Sequence, residues 1–271
     1  MNENINHDCH LLQAKTAIVV RNGIEKEVPL DKMDNKEMMK SLDMPERKEA
    51  LPPEKLLQLL PIKEKDILLD LGAGTGYFSI PAAKMTKGTV YALDLEPEML
   101  AELQSRIDLQ GSVNIQLIEG SIEDIPLSFD TIDGVIASLV LHYVNPVSRV
   151  LNKIRRVLKP GGYLLCFEWE KKESSLGPPL HKRISSSDME KAIVESGLTI
   201  IKRVFPKDFL YIFIAKKMTL INSNLNPTKG KHLVSYHIRT EQGVDIVVYV
   251  DHKLGATIEF WLEEDRKVAE I

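Results

Sequence analysis

A short apolar run followed by alternating glycines constrains the fold of this chain more than any other feature. Residues 67–71 are apolar apart from Asp70 and do not alternate, which is typical of a strand buried inside a parallel sheet. Glycines then occupy every second position from Gly72 to Gly76. They follow the carboxyl end of the strand, where open α/β sheets bind ligands and where a missing side chain allows close approach. The stretch therefore predicts a small-molecule site at the sheet edge.

The spacing and charge of this stretch disfavour a phosphate ligand. The dinucleotide fingerprint is G-x-G-x-x-G, with a pyrophosphate resting on the helix N-terminus, whereas this chain has G-x-G-x-G. Asp70 lies two residues before the first glycine. A carboxylate there suits an ammonium group better than a phosphate.

The middle of the chain alternates predicted strands and helices, as a doubly wound α/β sheet requires. A first helix is predicted at 54–60 and is ended by Pro61. The predicted strands are 67–71, 89–93, 114–118, 134–138, 163–169, 199–204 and 209–216, with the last two able to pair as a hairpin. The remaining predicted helices are 77–85, 98–110, 147–158 and 187–196.

Both ends of the chain carry separate β segments. Asn22-Gly23 between two β-rich runs predicts a hairpin over residues 16–28, and three runs at 233–239, 244–251 and 256–262 predict a small meander. Because so few strands are marginally stable alone, the meander is expected to pack on the core, on the hairpin or on another subunit. The predicted domains are 1–48, the hairpin and connector; 49–217, the α/β core; and 218–271, the meander.

Composition narrows the possible partners and location. Lys and Arg total 35 against 39 Asp and Glu, a net charge of −4, so we expect no nucleic-acid binding. Two cysteines and a polar start without a signal-peptide pattern indicate a cytoplasmic protein. No apolar run is long enough to cross a bilayer, so no membrane association is expected.

The string from Leu68 to Gly76 resembles the first motif of the class I S-adenosylmethionine-dependent methyltransferases. Three further blocks follow in the family's order: 119–127, 129–146 and 159–164. The resemblance covers roughly residues 51–217 and is closest to the small-molecule branch that includes the ubiquinone and menaquinone C-methyltransferases. It implies a Rossmann-like sheet of seven strands, mostly parallel with the last antiparallel, and methyl transfer from S-adenosylmethionine to a small molecule.

The resemblance also implies a set of cofactor-binding residues. Asp70 would hold the methionyl ammonium, the glycine-loop backbone would pass the methionyl and ribose portion, and Asp94 at the end of the second core strand would accept the ribose hydroxyls. Asp94 alone would also suit a dehydrogenase, or could cap the next helix. The full cofactor set is Asp70, Gly72, Ala73, Gly74, Gly76, Asp94, Leu95, Ser121, Ile122 and Ser138.

The chain departs from the family pattern at the adenine-binding position. Ser121 stands where an acidic residue is expected, followed by Ile122. The adenine contact could come from the Ser121 hydroxyl with the Ile122 amide, or from Asp124. Alternatively, Glu123 and Asp124 are simply a solvated loop.

Acceptor-side residues are candidates by position. His142 follows the fourth core strand and is the candidate general base, with a packing histidine as the alternative. Tyr143, Glu168 and Trp169 are candidates for substrate contact. The alternative for Glu168 is a surface charge, and the alternative for Trp169 is a plain core residue. No metal site is expected, although His7, Cys9 and His10 lie close in sequence.

Two other function classes stay open at this point. One is a non-catalytic binding or assembly protein that keeps the fold and uses its terminal β segments for partners, homo-oligomers included. The other is a nicotinamide-dependent oxidoreductase. The methyl acceptor is not determined, because this fold hosts methylation of carbon, nitrogen, oxygen and sulfur.

Overall fold

A computed structural model describes residues 16–21, 24–29, 51–111, 113–174, 177–218, 233–239, 245–251 and 258–262. The chain separates into two compact units, Met1–Lys217 and Met218–Ile271. The first unit begins with an antiparallel hairpin of β1 (Thr16–Arg21) and β2 (Ile24–Pro29), at the position predicted from the sequence.

A seven-stranded sheet forms the centre of the first unit, in the order β5-β4-β3-β6-β7-β9-β8. All neighbours pair in parallel except β9, which is antiparallel to both β7 and β8. The predicted Rossmann-like fold and the closing hairpin are therefore confirmed. The strands are β3 (Leu68–Leu71), β4 (Val90–Asp94), β5 (Ile115–Glu119), β6 (Ile132–Ser138), β7 (Leu158–Trp169), β8 (Thr199–Lys207) and β9 (Leu210–Lys216).

Within the described residues, five α-helices cover the two faces of the sheet. The helices are α1 (Pro53–Leu57), α2 (Ser79–Met85), α3 (Pro97–Gln110), α4 (Ser148–Val157) and α5 (Ser186–Glu195). Buried side chains of α1, α2 and α3 pack on one face, here called the front face. Those of α4 and α5 pack on the other, the back face.

The alternation of side chains along each strand assigns residues to these faces. In β3, Leu68 packs in the front-face core and Leu69 in the back-face core. Since neighbours on a strand point to opposite faces, Asp70 belongs to the front face. Both cores are apolar and nearly fully buried, which explains why the central strands lack a polar alternation.

The chain reverses its direction across the sheet at β3. It proceeds from β3 to β4 and β5 on one side, and then crosses to β6 on the other side of β3. The carboxyl ends of β3 and β6 thus form a topological switch point, which is where open α/β sheets bind their ligands.

Element boundaries differ from the sequence prediction mainly around a Pro-Gly-Gly turn signal. Residues 159–162 were expected to separate helix from strand, yet β7 starts at Leu158, directly after α4. The Gly161 amide donates to the Lys217 carbonyl at 2.7 Å, and the Lys217 amide donates to the Gly162 carbonyl at 2.8 Å. Tertiary pairing with the end of β9 thus turns a local turn signal into the start of a strand.

The second unit contains an antiparallel meander of β10 (Leu233–Arg239), β11 (Asp245–Asp251) and β12 (Ile258–Leu262), in that order. Strands lie in all three predicted runs. Over the described residues, no helix has the length and apolar character needed to span a bilayer.

Candidate functional site

The glycine turn after β3 is held against the end of β4. The amides of Gly72 and Ala73 both donate to the Leu93 carbonyl, at 2.8 and 3.0 Å. Gly72 has a φ of +69°, and a Cβ added there would lie 2.6 Å from Cγ2 of Val140 in the loop after β6. Glycine is therefore required on two grounds, the left-handed backbone and the close approach of a second loop.

Asp94 joins the glycine turn to the start of α3. Its Oδ2 accepts the amide hydrogen of Gly74 at 2.7 Å, and its Oδ1 accepts that of Glu96 at 3.0 Å. Each carboxylate oxygen retains capacity for a further hydrogen bond. The helix-cap alternative from the sequence is not what the structure shows, because the N-cap residue of α3 is Glu96. Asp94 accepts the amide hydrogen of that residue and keeps acceptor capacity for a diol.

Asp70 is almost completely buried, with 2 % of its surface exposed. Its Oδ2 accepts a hydrogen bond of 2.6 Å from the Ser79 hydroxyl, at the first residue of α2. Burial raises the pKa of this carboxyl to about 7, and the charge of Asp94 adds to the rise while the Ser79 bond opposes it. A carboxylate that is hard to ionise is a favourable partner for a cation, because the cation offsets the missing solvation.

The loop after β5 runs beside Asp94, because the Gly120 amide donates to the Asp94 carbonyl at 2.9 Å. Within it, the Ser121 hydroxyl accepts from the Glu123 amide at 3.1 Å, which forms a local turn. The Asp124 side chain is 88 % exposed and lies 3.6 Å from Lys153 Nζ. The Asp124 carboxylate thus faces Lys153, whereas Ser121 directly follows the residue that is bonded to Asp94.

Two buried polar atoms lie on β6 and in the loop after it. The Ser138 hydroxyl and Nε2 of His142 are the buried side-chain atoms without a hydrogen-bond partner in the described part of the chain. Between them, Leu139 has a φ of +54°, a conformation that costs free energy for a residue with a side chain. Such strain and unsatisfied polarity are typical of functional loops.

Glu168, at the end of β7, is fully buried and bonded to this loop. Its Oε2 lies 2.9 Å from Nδ1 of His142, and its Oε1 accepts from the Leu141 amide at 2.7 Å. The sequence placed Glu168 among substrate contacts and gave no sign of the pair, since the two residues are 26 positions apart. The pairing of β6 beside β7, which aligns Ser138 with Phe167, is what brings them together.

The structure separates the other two acceptor-side candidates. Trp169 alternates with Glu168 along β7 and packs with the front-face core, where its ring stacks on Phe209 with centroids 6.0 Å apart. Tyr143 is 64 % exposed and lies against the His142 ring, with centroids 4.2 Å apart. Tyr143 is therefore beside the histidine, and Trp169 is not on its face of the sheet.

The loop after β7 is fastened over Trp169 by a buried arginine. Arg183 donates to the carbonyls of Pro178 and Lys172 at 2.7 and 2.6 Å, and its guanidinium lies 5.6 Å from the Trp169 ring centroid. A Cβ on Gly177 would lie 2.6 Å from the same ring. The guanidinium is therefore used to hold the loop rather than to face a ligand.

The described residues contain no group of three His, Cys, Asp or Glu side chains placed to hold a metal ion. His7, Cys9 and His10 lie outside the described residues.

Comparison with known proteins connects this geometry to a family. Residues 69–166 match the model of a methyltransferase domain. The demethylmenaquinone methyltransferase of Bacillus subtilis is 31 % identical over 122 residues, which cover 44 % of this chain and 52 % of that protein. The chain thus spans about half the length of the curated relatives it matches.

Solved structures agree with the fold over a longer stretch. A SAM-dependent methyltransferase from Aquifex aeolicus is 28 % identical, with a TM-score of 0.63, and the match covers 69 % of this chain and all of that one. The [4+2]-cyclase SpnF matches with a TM-score of 0.56 at 16 % identity, over 63 % of this chain and 81 % of that one. The second likeness concerns the fold alone.

Proposed function

We propose that this chain, which contains a class I S-adenosylmethionine-dependent methyltransferase domain, transfers a methyl group from S-adenosylmethionine to a small-molecule acceptor. The observation that carries the proposal is the joining of the glycine turn to Asp94 at the switch point of the sheet. That arrangement places a glycine-rich backbone next to a carboxylate with acceptor capacity, as a nucleoside requires.

The residues present fit the chemical parts of S-adenosylmethionine. Asp94 would accept the ribose hydroxyls, and the backbone from Gly72 to Gly76 would pass along the methionyl and ribose portion. The buried carboxylate of Asp70 would face the ammonium, directly or through a water. Leu95, Ser121, Ile122 and Ser138 complete the proposed set, with Ser121 and the Ile122 amide replacing the acid that reads adenine elsewhere in the family.

S-adenosylmethionine, when bound, supplies a methyl carbon made electrophilic by its positive sulfur. The chain itself would contribute position and exclusion of water, which lower the barrier by fixing the two reactants in line. The front-face carboxylates and the back-face pair of His142 and Glu168 flank the same sheet edge. We assign Tyr143 and His142 to the acceptor side, and Glu168 acts there through its contact with His142.

Isothermal titration calorimetry with S-adenosylhomocysteine tests this proposal directly. We expect binding to the wild-type chain, and a loss of about tenfold or more in Asp94→Asn, because one charge-assisted hydrogen bond contributes about 1.5–3 kcal/mol. Asp208→Asn, an exposed acid in the β8–β9 turn, is the matched control and should bind normally. A folded wild-type chain that binds neither S-adenosylhomocysteine nor S-adenosylmethionine would refute the proposal.

A second candidate function is a binding or assembly protein that retains the fold without methyl transfer. The serine at position 121 in place of an acid favours it. Cofactor binding without a methylated product across phenols, quinone precursors, thiols and amines would support this alternative. NADH binding in preference to S-adenosylmethionine would instead support an oxidoreductase.

We further propose a cytoplasmic location and a partner set limited to the small-molecule acceptor and further copies of the chain. The low cysteine content and the net charge of −4 support this, the latter because it offers no broad attraction to nucleic acid. The terminal β segments are the proposed contacts for self-association. Analytical ultracentrifugation of the full chain and of a chain truncated after Lys217 would test this role.

A further inference from the structure

The hydrogen bonds around the His142–Glu168 pair favour one tautomer of the histidine. Glu168 accepts three backbone amide hydrogens, from Leu141 at 2.7 Å, His142 at 3.3 Å and Trp169 at 3.1 Å. Both carboxylate oxygens are engaged as acceptors, and an ionised carboxylate is acceptor-only. With Glu168 ionised, Nδ1 of His142, which faces the carboxylate at 2.9 Å, is assigned as the donor.

This assignment decides the chemistry of the other ring nitrogen. A neutral imidazole with hydrogen on Nδ1 carries its lone pair on Nε2. Nε2 is the buried ring atom without a partner in the described part of the chain. A buried acceptor of this kind costs free energy unless a ligand or water supplies a donor, so the site is suited to a group that carries a proton.

The pair also lies next to the proposed cofactor loop. Val140, two residues before His142, lies against Gly72 so closely that a Cβ on the glycine would come within 2.6 Å of it. Leu139, which has a positive φ, lies between the end of β6 and this contact. The exposed ring of Tyr143 lies against the imidazole, with the ring centroids 4.2 Å apart.

We propose that Glu168 is a positioning residue that holds His142 with Nε2 as the proton acceptor, and that the site acts on acceptors whose nucleophilic atom bears a removable proton. This inference rests on the proposed function. In the reaction the acceptor hydroxyl gives its proton to Nε2 and uses the freed electron pair to bond the methyl carbon. The electron pair of the broken carbon–sulfur bond stays on sulfur, and the imidazolium then returns its proton to solvent.

The tautomer of His142 is measurable by two-dimensional 15N–1H NMR of the histidine rings, with His142→Asn identifying the signal. We expect the Nδ1–H form in the wild-type chain at about pH 8. Glu168→Gln presents an amide that can donate to Nδ1, and should shift His142 toward the Nε2–H form. A wild-type His142 in the Nε2–H form would overturn the proposal, whether or not the variant folds.

A matched pair of probes tests the acceptor class on the chain loaded with S-adenosylhomocysteine. Phenol and its methyl ether anisole share a ring but differ in the hydroxyl proton. We expect phenol to shift the His142 Nε2 resonance and anisole to leave it unchanged. No shift with phenol, or equal shifts with both, would overturn the proposal.

Kinetics separate this inference from the proposed function. Glu168→Gln should bind S-adenosylhomocysteine within about threefold of wild type, while the kcat for any hydroxyl acceptor falls about a hundredfold, the usual contribution of a general base. The loss should shrink for a nitrophenol already ionised at the assay pH. Failure to bind the cofactor refutes the proposed function, whereas an unchanged kcat in Glu168→Gln refutes only the role of the pair.

Discussion

Replacing Asp70 by asparagine should stabilise the folded chain in alkaline solution. The carboxyl is buried and its pKa is raised from 3.8 to about 7. Between these values the folded chain binds a proton that the unfolded chain has released, so stability falls as pH rises. The ionised carboxylate is thus a cost to folding that is fully present above about pH 7, and asparagine does not carry it.

The size of this cost follows from the shift. The difference of about 7 − 3.8, or roughly 3 pKa units, corresponds to about 4 kcal/mol at high pH, at 1.36 kcal/mol per unit. At about pH 5 the cost of the buried carboxylate to folding is only about 1.5 kcal/mol. Asparagine can still accept from Ser79 but leaves an amide group to satisfy, at about 1–3 kcal/mol. The cost of the unsatisfied amide does not depend on pH. The quantity to measure is therefore the difference between the two proteins in how their free energy of unfolding changes with pH.

Urea denaturation of wild type and Asp70→Asn at about pH 5 and pH 8 provides the assay. The variant should gain about 2.5 kcal/mol relative to wild type between the two pH values. Ser79→Ala removes the hydrogen bond that lowers the Asp70 pKa. In this variant the fall in the free energy of unfolding should therefore continue to higher pH than in wild type. Asp208→Asn, on an exposed turn, should follow wild type. Parallel pH profiles for wild type and Asp70→Asn would refute the reasoning.

Three further outcomes are expected. Gly72→Ala should lower the free energy of unfolding by about 3 kcal/mol, because backbone strain and crowding act together, whereas Gly111→Ala should lower it by about 1 kcal/mol from its φ of +64° alone. Gly120→Ala should change it little, since the added Cβ meets nothing within 4 Å. Equal losses for the three variants in urea denaturation would contradict this. Arg183→Lys should lower the free energy of unfolding by about 2–4 kcal/mol and expose residues 177–183 to protease, because lysine cannot reach both carbonyls. Resistance of this segment to protease in the variant would contradict this. Calorimetric affinity for S-adenosylhomocysteine should rise with pH through about 7 in wild type but not in Asp70→Asn, as the ionised carboxylate favours the ammonium; a flat wild-type profile would contradict this.

Periodicity and turn residues were sufficient to predict the order of the core elements. Continuous apolar runs identify strands buried on both faces, and the hairpin of β8 and β9 follows from their short separation. The start of β7 was missed, because Lys159-Pro160-Gly161-Gly162 is a local turn signal that pairing with Lys217 overrides. A local sequence pattern cannot reveal a pairing partner that is more than fifty residues away in the chain.

The residues of the candidate site fall into two groups, those recognisable from local sequence and those whose role depends on folding. The glycine turn and Asp94 are recognisable from the sequence, because the backbone conformation and the strand end that they need are local properties. The state of Asp70 and the partner of His142 depend on what surrounds them after folding. Burial sets the pKa of the first, and the neighbouring strand supplies Glu168 to the second.

The sequence by itself thus determined the fold and the place of the glycine turn, since both follow from patterns among residues close together in the chain. Only the tertiary structure decided that Glu168 faces His142 while Trp169 faces the opposite core. The physical reason is that the pleat sends adjacent residues of β7 to opposite faces, and the packing of each face then selects their partners.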